Sequence, residues 1–377
     1  MSKEDFLPFT KPSIGEEEIA DVIDSLQSGW LATGPKVQGF ENALTTYFEG
    51  REAVCVSSGT AALHLSLLAL DLKPGDEVIT PPMTFVAAIN AIVQAGGTPV
   101  FADIHEDTYN LNLAEAEKKI TPKTRAILPV HFTGLCVPLD DLYALANAYN
   151  LRVIEDCAHA IGSAYKGKKV GTLGDIQIFS FHPNKNITSG EGGCIVTNDK
   201  AILERVKTLR FHGIDRNSWD RFTKNGSQLY DVLEPGYKYN MMDIQAAIGI
   251  HQLKKISTFN ERRAYLATRY NKALDGLAGL ALPAQDDGHA WHLYAPLVKG
   301  MNRDDFMTEL KARNIGTGYH YCAAHLFTVF QDSYNYKLGD FPVAELVSNS
   351  IVSLPLFPDL SEVAQDRVIS EITDIVS

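Results

Sequence analysis

Ile178-Phe179-Ser180-Phe181-His182-Pro183-Asn184-Lys185-Asn186-Ile187-Thr188-Ser189-Gly190-Glu191-Gly192-Gly193 sets a lysine in a Gly/Ser-rich turn between two apolar runs. Lysines ordinarily sit on solvated faces, and by itself this segment reads Lys185 as an exposed loop residue. Held away from water, such an amine has a lowered pKa and becomes a nucleophile toward an aldehyde. Upstream, Val153-Ile154-Glu155-Asp156-Cys157-Ala158-His159 runs as a strand into acidic residues at its carboxyl end. Ligands of open α/β sheets bind outside such ends, so Asp156 is placed to meet one; the alternative is a cap for the next segment. Glu155 alternates to the opposite side and receives no role. Earlier still, Ser57-Ser58-Gly59-Thr60-Ala61-Ala62-Leu63 follows a strand and opens a helix. Its N–H groups and hydroxyls converge at the positive end of a helix dipole, an anion site suited to phosphate. An ordinary Ser/Thr N-cap has the same sequence. The segment matches neither Gly-x-Gly-x-x-Gly nor Gly-x-x-x-x-Gly-Lys-Ser/Thr, which leaves dinucleotide and nucleoside-triphosphate folds without support.

Working outward, β-rich runs recur at 53–57, 77–80, 99–103, 126–131, 152–156, 176–181 and 193–197. Helical patterns lie between several of them, at 60–70, 86–95, 139–149 and 200–210. Strands apolar on both faces that alternate with helices describe a large, mostly parallel mixed sheet of about seven strands, covered on both sides. Strand order is not legible. From 242 to about 274 one long helix is expected, then a strand at 292–298, a helix at 303–313, a Gly/Tyr-rich loop at 316–321 and a terminal helix at 361–376. This second pattern is a smaller C-terminal α/β unit, with the boundary inside the long helix. The expected domains are 1–250, including the N-terminal segment, and 251–377.

A length of 377 residues also predicts two domains. Hydrophobic residues at 45% and charged residues at 21% exclude a disordered or fibrous chain. Against 34 Lys and Arg stand 46 Asp and Glu, a net charge of −12, unsuited to nucleic-acid or anionic-membrane binding. Any anionic ligand needs a local set of donors. Cys55, Cys136, Cys157, Cys194 and Cys322 are scattered, odd in number and without a Cys-x-x-Cys pair. Neither a disulfide framework nor a zinc site is indicated, and buried thiols in a reducing compartment are expected. His182, His320 and His325 do not form a helically spaced metal pair, so no metal is implied; His182 is expected in a hydrogen-bonded structural role. No signal peptide is expected, and the sequence has no apolar run of the ~20 residues that span a bilayer. A cytoplasmic protein is expected.

A phosphate cradle, a strand-end carboxylate and a lysine are together what pyridoxal 5′-phosphate requires: its phosphate needs a helix N-terminus, its ring nitrogen an aspartate, its aldehyde a lysine. Their order along the chain is that of the aspartate-aminotransferase fold, fold type I of the PLP-dependent transferases. With further motifs, Ser28-Gly-Trp-Leu-Ala-Thr-Gly-Pro35, Pro81-Pro-Met-Thr-Phe-Val-Ala-Ala88 and Gly236-Tyr-Lys-Tyr-Asn-Met-Met-Asp-Ile-Gln-Ala-Ala247, the chain resembles the DegT/DnrJ/EryC1/StrS sugar aminotransferases essentially end to end. Within that family it is most similar to the branch making UDP-4-amino-4-deoxy-L-arabinose for lipid A. The segments behind this are Gly236-Tyr-Lys-Tyr-Asn240, Lys185-Asn-Ile-Thr188, His289-Ala-Trp-His-Leu293, Gly316-Thr-Gly-Tyr-His320 and Ser353-Leu-Pro-Leu-Phe-Pro-Asp359. At Pro183 and Phe85 it resembles the wider family instead.

The resemblance implies a transaminase that moves an amino group from L-glutamate to a nucleotide-linked keto sugar, a UDP-4-keto sugar, for lipopolysaccharide or other surface polysaccharide. It implies that Lys185 holds the cofactor as a covalent aldimine and shuttles the proton, while Asp156 keeps the ring nitrogen protonated. His159 stands near the ring hydroxyl and Phe85 stacks on the ring, with plain core packing as the rival for Phe85. Ser58, Gly59, Thr60 and Ser180 bind the phosphate. Lys238 or Asn240 reaches the phosphate from the other subunit of a homodimer with shared sites; Arg210 is the local alternative. Thr33, Trp291, Tyr319 and His320 line the sugar-nucleotide end. Two other readings remain: a dehydratase, which in relatives replaces the lysine by histidine, and a catalytically idle cofactor-binding or sensing protein.

Overall fold

Two helices that no periodicity announced, α1 (Glu16–Ser28) and α2 (Pro35–Tyr47), precede the first strand in the computed structural model, which describes residues 5–215 and 229–376. Strand β1 (Glu52–Val56) then leads to α3 (Gly59–Ala69), β2 (Glu77–Thr80) to α4 (Val86–Gln94), and β3 (Thr98–Phe101) to the short α5 (Leu113–Glu117). Next come β4 (Thr124–Ile127), α6 (Leu139–Ala148), β5 (Arg152–Asp156) and a small hairpin, β6 (Ala164–Tyr165) with β7 (Lys168–Lys169). Strands β8 (Ile176–Ser180) and β9 (Gly193–Thr197), helix α7 (Lys200–Leu209) and the long α8 (Asp243–Leu274) follow. The strand expected at 126–131 ends at Ile127. Beyond it the chain stays extended and clasps Asp156, whose N–H donates to Pro129 O at 2.9 Å and whose carbonyl accepts from His131 N at 3.1 Å.

Seven strands form one sheet in the order β1-β9-β8-β5-β4-β2-β3. The neighbours from β3 across to β8 run parallel, whereas β9 is antiparallel to both β8 and β1. Alternation in β8 explains how the sheet is covered. Ile176 and Ile178 face a core built with Ala62 and Leu65 of α3, Ile92 of α4 and Val206 of α7. Phe179 faces the other side, against Phe40 and Leu44 of α2 and Ile256 of α8. Both faces are buried, so the strands read as continuous apolar runs. Where α8 crosses α2 the approach is close: a Cβ on Gly249 would lie 2.6 Å from the Phe40 ring, which only glycine accommodates.

The carboxyl half of α8 enters a separate core. Leu266, Tyr270 and Leu274 pack there with Phe306 and Leu310 of α9 (Arg303–Ala312). Before α9 lies the two-residue pair β10 (Leu280–Ala281) and β11 (Leu297–Val298); after it come α10 (Thr328–Tyr334), α11 (Pro342–Ser350) and α12 (Glu362–Val376). The strand expected at 292–298 is therefore mostly not a strand. Trp291, immediately before the run, sits at φ 48°, a left-handed conformation, and the run itself makes only isolated bridges, Tyr294 with Leu354 and Leu297 with Ile351, besides β11. The carbonyls of Trp291 and His292 then accept from the buried Arg263 guanidinium instead of from a neighbouring strand. Of the five thiols, all free, Cys55, Cys157 and Cys194 are buried as expected, while Cys136 and Cys322 are half-buried. Among the described residues no helix is long and apolar enough to cross a membrane.

The start of α8 anchors the start of α2. Asp243, buried, accepts from the amides of Gly34 (2.8 Å), Lys36 (3.1 Å) and Val37 (3.0 Å), three donors at a helix end that no helix carbonyl reaches. Asp243→Ala leaves those amides without their acceptor, and we expect a loss of about 3 kcal/mol. Urea denaturation should show the midpoint fall with an unchanged slope; an unmoved midpoint contradicts the anchor.

Candidate active site

Beyond the carboxyl ends of β5 and β8 lies a cavity of about 730 Å³, bounded on one side by the N-terminus of α3. Ser58 caps α3 by accepting from Ala61 N at 3.0 Å. The amides of Gly59 and Thr60, in the first turn, have no helix carbonyl to reach and point out of the helix end. Ser180, at the end of β8, lies directly against them: a Cβ on Gly59 would come within 2.9 Å of the Ser180 Cβ. Glycine thus lets a strand-end hydroxyl meet a helix N-terminus, and Ser58, Gly59, Thr60 and Ser180 all line the cavity.

Asp156 and Lys185 face the same space. A side-chain oxygen of Asp156 accepts from Ala158 N at 3.0 Å. Burial raises its pKa above the usual carboxylate range, outweighing the Ala158 hydrogen bond and the charges of Lys185 and His131. Burial also pushes the Lys185 ammonium down to about 8, with Asp156 opposing the shift. Each group moves toward its neutral form despite the other, so neither fully compensates the other's loss of water.

Neutral imidazoles surround this pair. His159 has Nε2 3.2 Å from the Tyr321 hydroxyl, and its buried Nδ1 has no hydrogen-bond partner among the described residues. Burial and then Lys185 hold it well below the ordinary histidine range. His320 is pushed down to about 3 by the same two causes, and its Nδ1 lies 2.8 Å from Ser353 Oγ. Beside it Tyr319 bonds Ser348 Oγ at 3.0 Å beneath the Arg303 guanidinium, 3.9 Å from the ring centroid. Phe85, at the N-cap of α4, is 57% exposed and lines the cavity, with its ring 5.8 Å from that of Tyr321. Core packing, the rival for Phe85, is thereby ruled out.

Four residues expected at the site lie outside this chain's cavity lining. The Thr33 hydroxyl donates to Met241 O at 2.6 Å and accepts from Asn240 Nδ2 at 2.6 Å, so the two side chains bind each other. Lys238 Nζ sits over the Phe211 ring, 4.3 Å from its centroid. Trp291 is a core residue, stacked on His289 at 3.9 Å, which corrects its expected place at the sugar end. Arg210, the local alternative for phosphate, is spent on Glu41 and the Cys55 carbonyl.

Other residues in or beside the cavity were not expected there from sequence. Tyr321 is a tyrosine in a loop, and burial followed by Asp156 raises its phenol pKa. His182, expected as structural, does bond Asn184 (2.8 Å) but also lines the cavity. Glu155, given no role, is a fully buried hub that accepts from His131 Nε2 (2.9 Å), Tyr143 OH (2.6 Å) and Gln177 Nε2 (2.6 Å). With Cys157, His131 and Glu155 bring three potential metal-ligating atoms within 4.8 Å. Two of these groups are already bonded: His131 Nδ1 lies 3.1 Å from Val137 N, and its Nε2 bonds Glu155.

The DegT/DnrJ/EryC1/StrS aminotransferase family model matches residues 12–373. The chain belongs to that family. It is 44% identical to the spore coat polysaccharide biosynthesis protein SpsC of Bacillus subtilis, over 98% of this chain and 97% of that protein. Spr1654 of Streptococcus pneumoniae, solved in apo, PMP and PLP forms, superposes with a TM-score of 0.91 at 33% identity for the apo form, covering 98% of this chain and 97% of that one. PseC of Helicobacter pylori, an aminotransferase involved in pseudoaminic acid biosynthesis, gives a TM-score of 0.91 at 29% identity over 99% of both chains. The α/β architecture is accordingly that of fold type I, and the family is one of sugar aminotransferases.

The depressed Lys185 pKa predicts selective chemistry. After hydroxylamine dialysis to strip any aldehyde from lysine, an amine-reactive aldehyde should label Lys185 with a pH midpoint of about 8. Exposed lysines respond near about 10.4. Because the Asp156 charge favours the ammonium, Asp156→Asn should move the midpoint lower still. Peptide mass spectrometry reads both, and a Lys185 midpoint near that of the exposed lysines contradicts the desolvated site.

Proposed function

We propose that this protein is a pyridoxal 5′-phosphate-dependent aminotransferase transferring an amino group from L-glutamate to a nucleotide-linked keto sugar. The observation that carries the proposal is the convergence of Lys185, Asp156 and the α3 N-terminus on one cavity. Chemically the residues fit the cofactor. Gly59 and Thr60 amides with the Ser180 hydroxyl suit a phosphate. Asp156, a carboxylate short of a partner, suits a protonated ring nitrogen, and the orphaned Nδ1 leaves His159 incompletely bonded without a ligand. The PLP and PMP forms of Spr1654 are further support.

When bound, the cofactor supplies an aldehyde carbon that takes up and releases an amino group, and a ring that accepts electrons from the amine-bearing carbon. Lys185 would hold it through Nζ, Phe85 would cover the ring and His159 would stand by its hydroxyl. With its pKa near 8, Lys185 Nζ is partly unprotonated at neutral pH, so it can take a proton from the substrate carbon and return it. Asp156, desolvated and therefore more basic, holds the proton on the ring nitrogen. Tyr319 and His320 meet the sugar nucleotide. Within the family we assign the UDP-4-amino-4-deoxy-L-arabinose branch, with a UDP-4-keto-pentose as acceptor and lipid A or surface polysaccharide as destination.

The working unit we propose is a homodimer with shared sites. Lys185 is the one lysine or arginine lining the described cavity, too little for a phosphate dianion in a chain of net charge −12. Lys238, outside its own chain's cavity, follows an exposed apolar stretch in sequence: Leu229 is 81% and Leu233 63% exposed. Such a patch favours a protein partner, and a second copy would bring Lys238 to the neighbouring phosphate.

Borohydride should fix the cofactor to the single peptide containing Lys185, and Lys185→Ala should abolish turnover; substantial turnover in that variant defeats the proposal. From the aminated cofactor form, a panel of nucleotide keto sugars should restore the starting absorbance fastest with the UDP-4-keto-pentose. A 6-deoxy sugar reacting far faster would remove the pentose assignment. For the dimer, mixing Lys185→Ala with Lys238→Glu, each inactive alone, should restore one working site per mixed dimer. No recovery at any ratio under conditions of subunit exchange contradicts shared sites.

A further inference from the structure

His320 enters the cavity from the loop before α10, and its ring is held on several sides. The Phe9 ring lies 5.3 Å away and the Tyr321 ring 5.0 Å, nearly perpendicular. A Cβ on Gly318 would lie 2.7 Å from His320 Cε1, so glycine is what lets the ring edge bearing Cε1 and Nδ1 seat against the backbone. That edge meets Ser353 Oγ at 2.8 Å. Ser353 is 0% exposed and backbone-paired with Gly318 in both directions at 2.8 Å, which fixes its distance from the histidine. Nε2 is not among the buried unpartnered atoms, and the residue lines the cavity, so this nitrogen opens on it.

The direction of the serine hydrogen bond follows from counting protons. A hydroxyl carries one proton and a neutral imidazole one N–H. Among the described residues the Ser353 hydroxyl has a single hydrogen-bond partner, His320 Nδ1. If Nδ1–H donated to Oγ, the serine proton would be left without an acceptor in a fully buried position, losing the desolvation energy of a polar group. Donation by Ser353 leaves no such orphan and puts the ring proton on Nε2.

We propose that Ser353 is a positioning residue for substrate recognition: its hydroxyl donates to His320 Nδ1, so that His320 presents Nε2–H to the cavity as a fixed donor to an oxygen of the sugar acceptor. This rests on the sugar-aminotransferase function proposed above. The group recognised is an acceptor, a hydroxyl, oxo or ring oxygen, and an analogue lacking that oxygen loses the contact.

Two measurements test it in the cofactor-loaded full chain. Ser353→Ala should lower kcat/KM for the nucleotide sugar about tenfold, with a smaller loss in the glutamate half-reaction, and Ser353→Thr should restore part of it. His320→Gln places an N–H donor close to the position of Nε2 with nothing at Nδ1, so in that background Ser353→Ala should add no further loss. Equal losses in the two half-reactions, or a serine penalty that persists in the His320→Gln background, assign Ser353 a merely structural part and overturn the proposal. Independently of any substrate, ¹⁵N-histidine NMR, with His320 assigned through His320→Gln, should show a protonated Nε2 and a bare Nδ1. A protonated Nδ1 overturns the inference. A wild-type protein inactive with every nucleotide sugar defeats the parent function, and the tautomer measurement still decides this inference.

Discussion

Two adjacent carboxylates end strand β5, and the fold treats them oppositely. Glu155, on one face of the sheet, is saturated by His131, Tyr143 and Gln177, and Arg51 in turn donates to Gln177 Oε1 at 2.9 Å. Asp156, on the other face, has the Ala158 amide and little else. A buried carboxylate without compensation is unfavourable, so the second one is sustained by its surroundings rather than by its own bonds. The Glu155 hub joins β5 to β8, α6 and the chain after β4, and that same chain clasps the Asp156 backbone on both sides. An under-satisfied aspartate is thereby held in place by the well-satisfied glutamate beside it.

The same economy of charge governs the rest of the cavity. Lys185 faces Asp156, yet burial outweighs their attraction and pushes the amine toward neutrality. His159 and His320 stay neutral because water is excluded and Lys185 is close. One amine with a lowered pKa, one carboxylate with a raised one and neutral imidazoles thus share a single cavity, a clustering of perturbed groups characteristic of functional sites. At the other end of the cavity the N-terminus of α3 contributes fixed backbone dipoles.

Much of this was legible in the chain because the decisive groups are local in sequence. Burial on both faces makes β8 and β9 continuous apolar runs, and the loop between them carries Lys185; the α3 cradle and the end of β5 are likewise contiguous. What escaped is set by contacts distant in sequence. Helix α2 owes its place to α8 through Asp243 and the Phe40–Gly249 contact, and α1 through Glu18 against Gln252 and Lys255, and no local periodicity reports that. The run at 292–298 looked like a strand because its side chains suit one, while Trp291 φ and the Arg263 guanidinium decide its backbone. Tyr321 belongs to the site by packing alone, and the Glu155 hub supports it from outside the cavity. Conversely, the family resemblance put Trp291 at the sugar-nucleotide end, whereas the fold spends it on His289 in the core.

The central claim is that this cavity moves nitrogen from an amino acid to a sugar. Incubation with L-[¹⁵N]glutamate and a nucleotide keto sugar, followed by mass spectrometry of the product, tests it most directly. The account predicts an amino sugar nucleotide carrying the heavy nitrogen, heavier by one mass unit than that made from unlabelled glutamate, with stoichiometric 2-oxoglutarate. A product that has lost water and gained no nitrogen, or an amino sugar whose nitrogen is unlabelled, would contradict it.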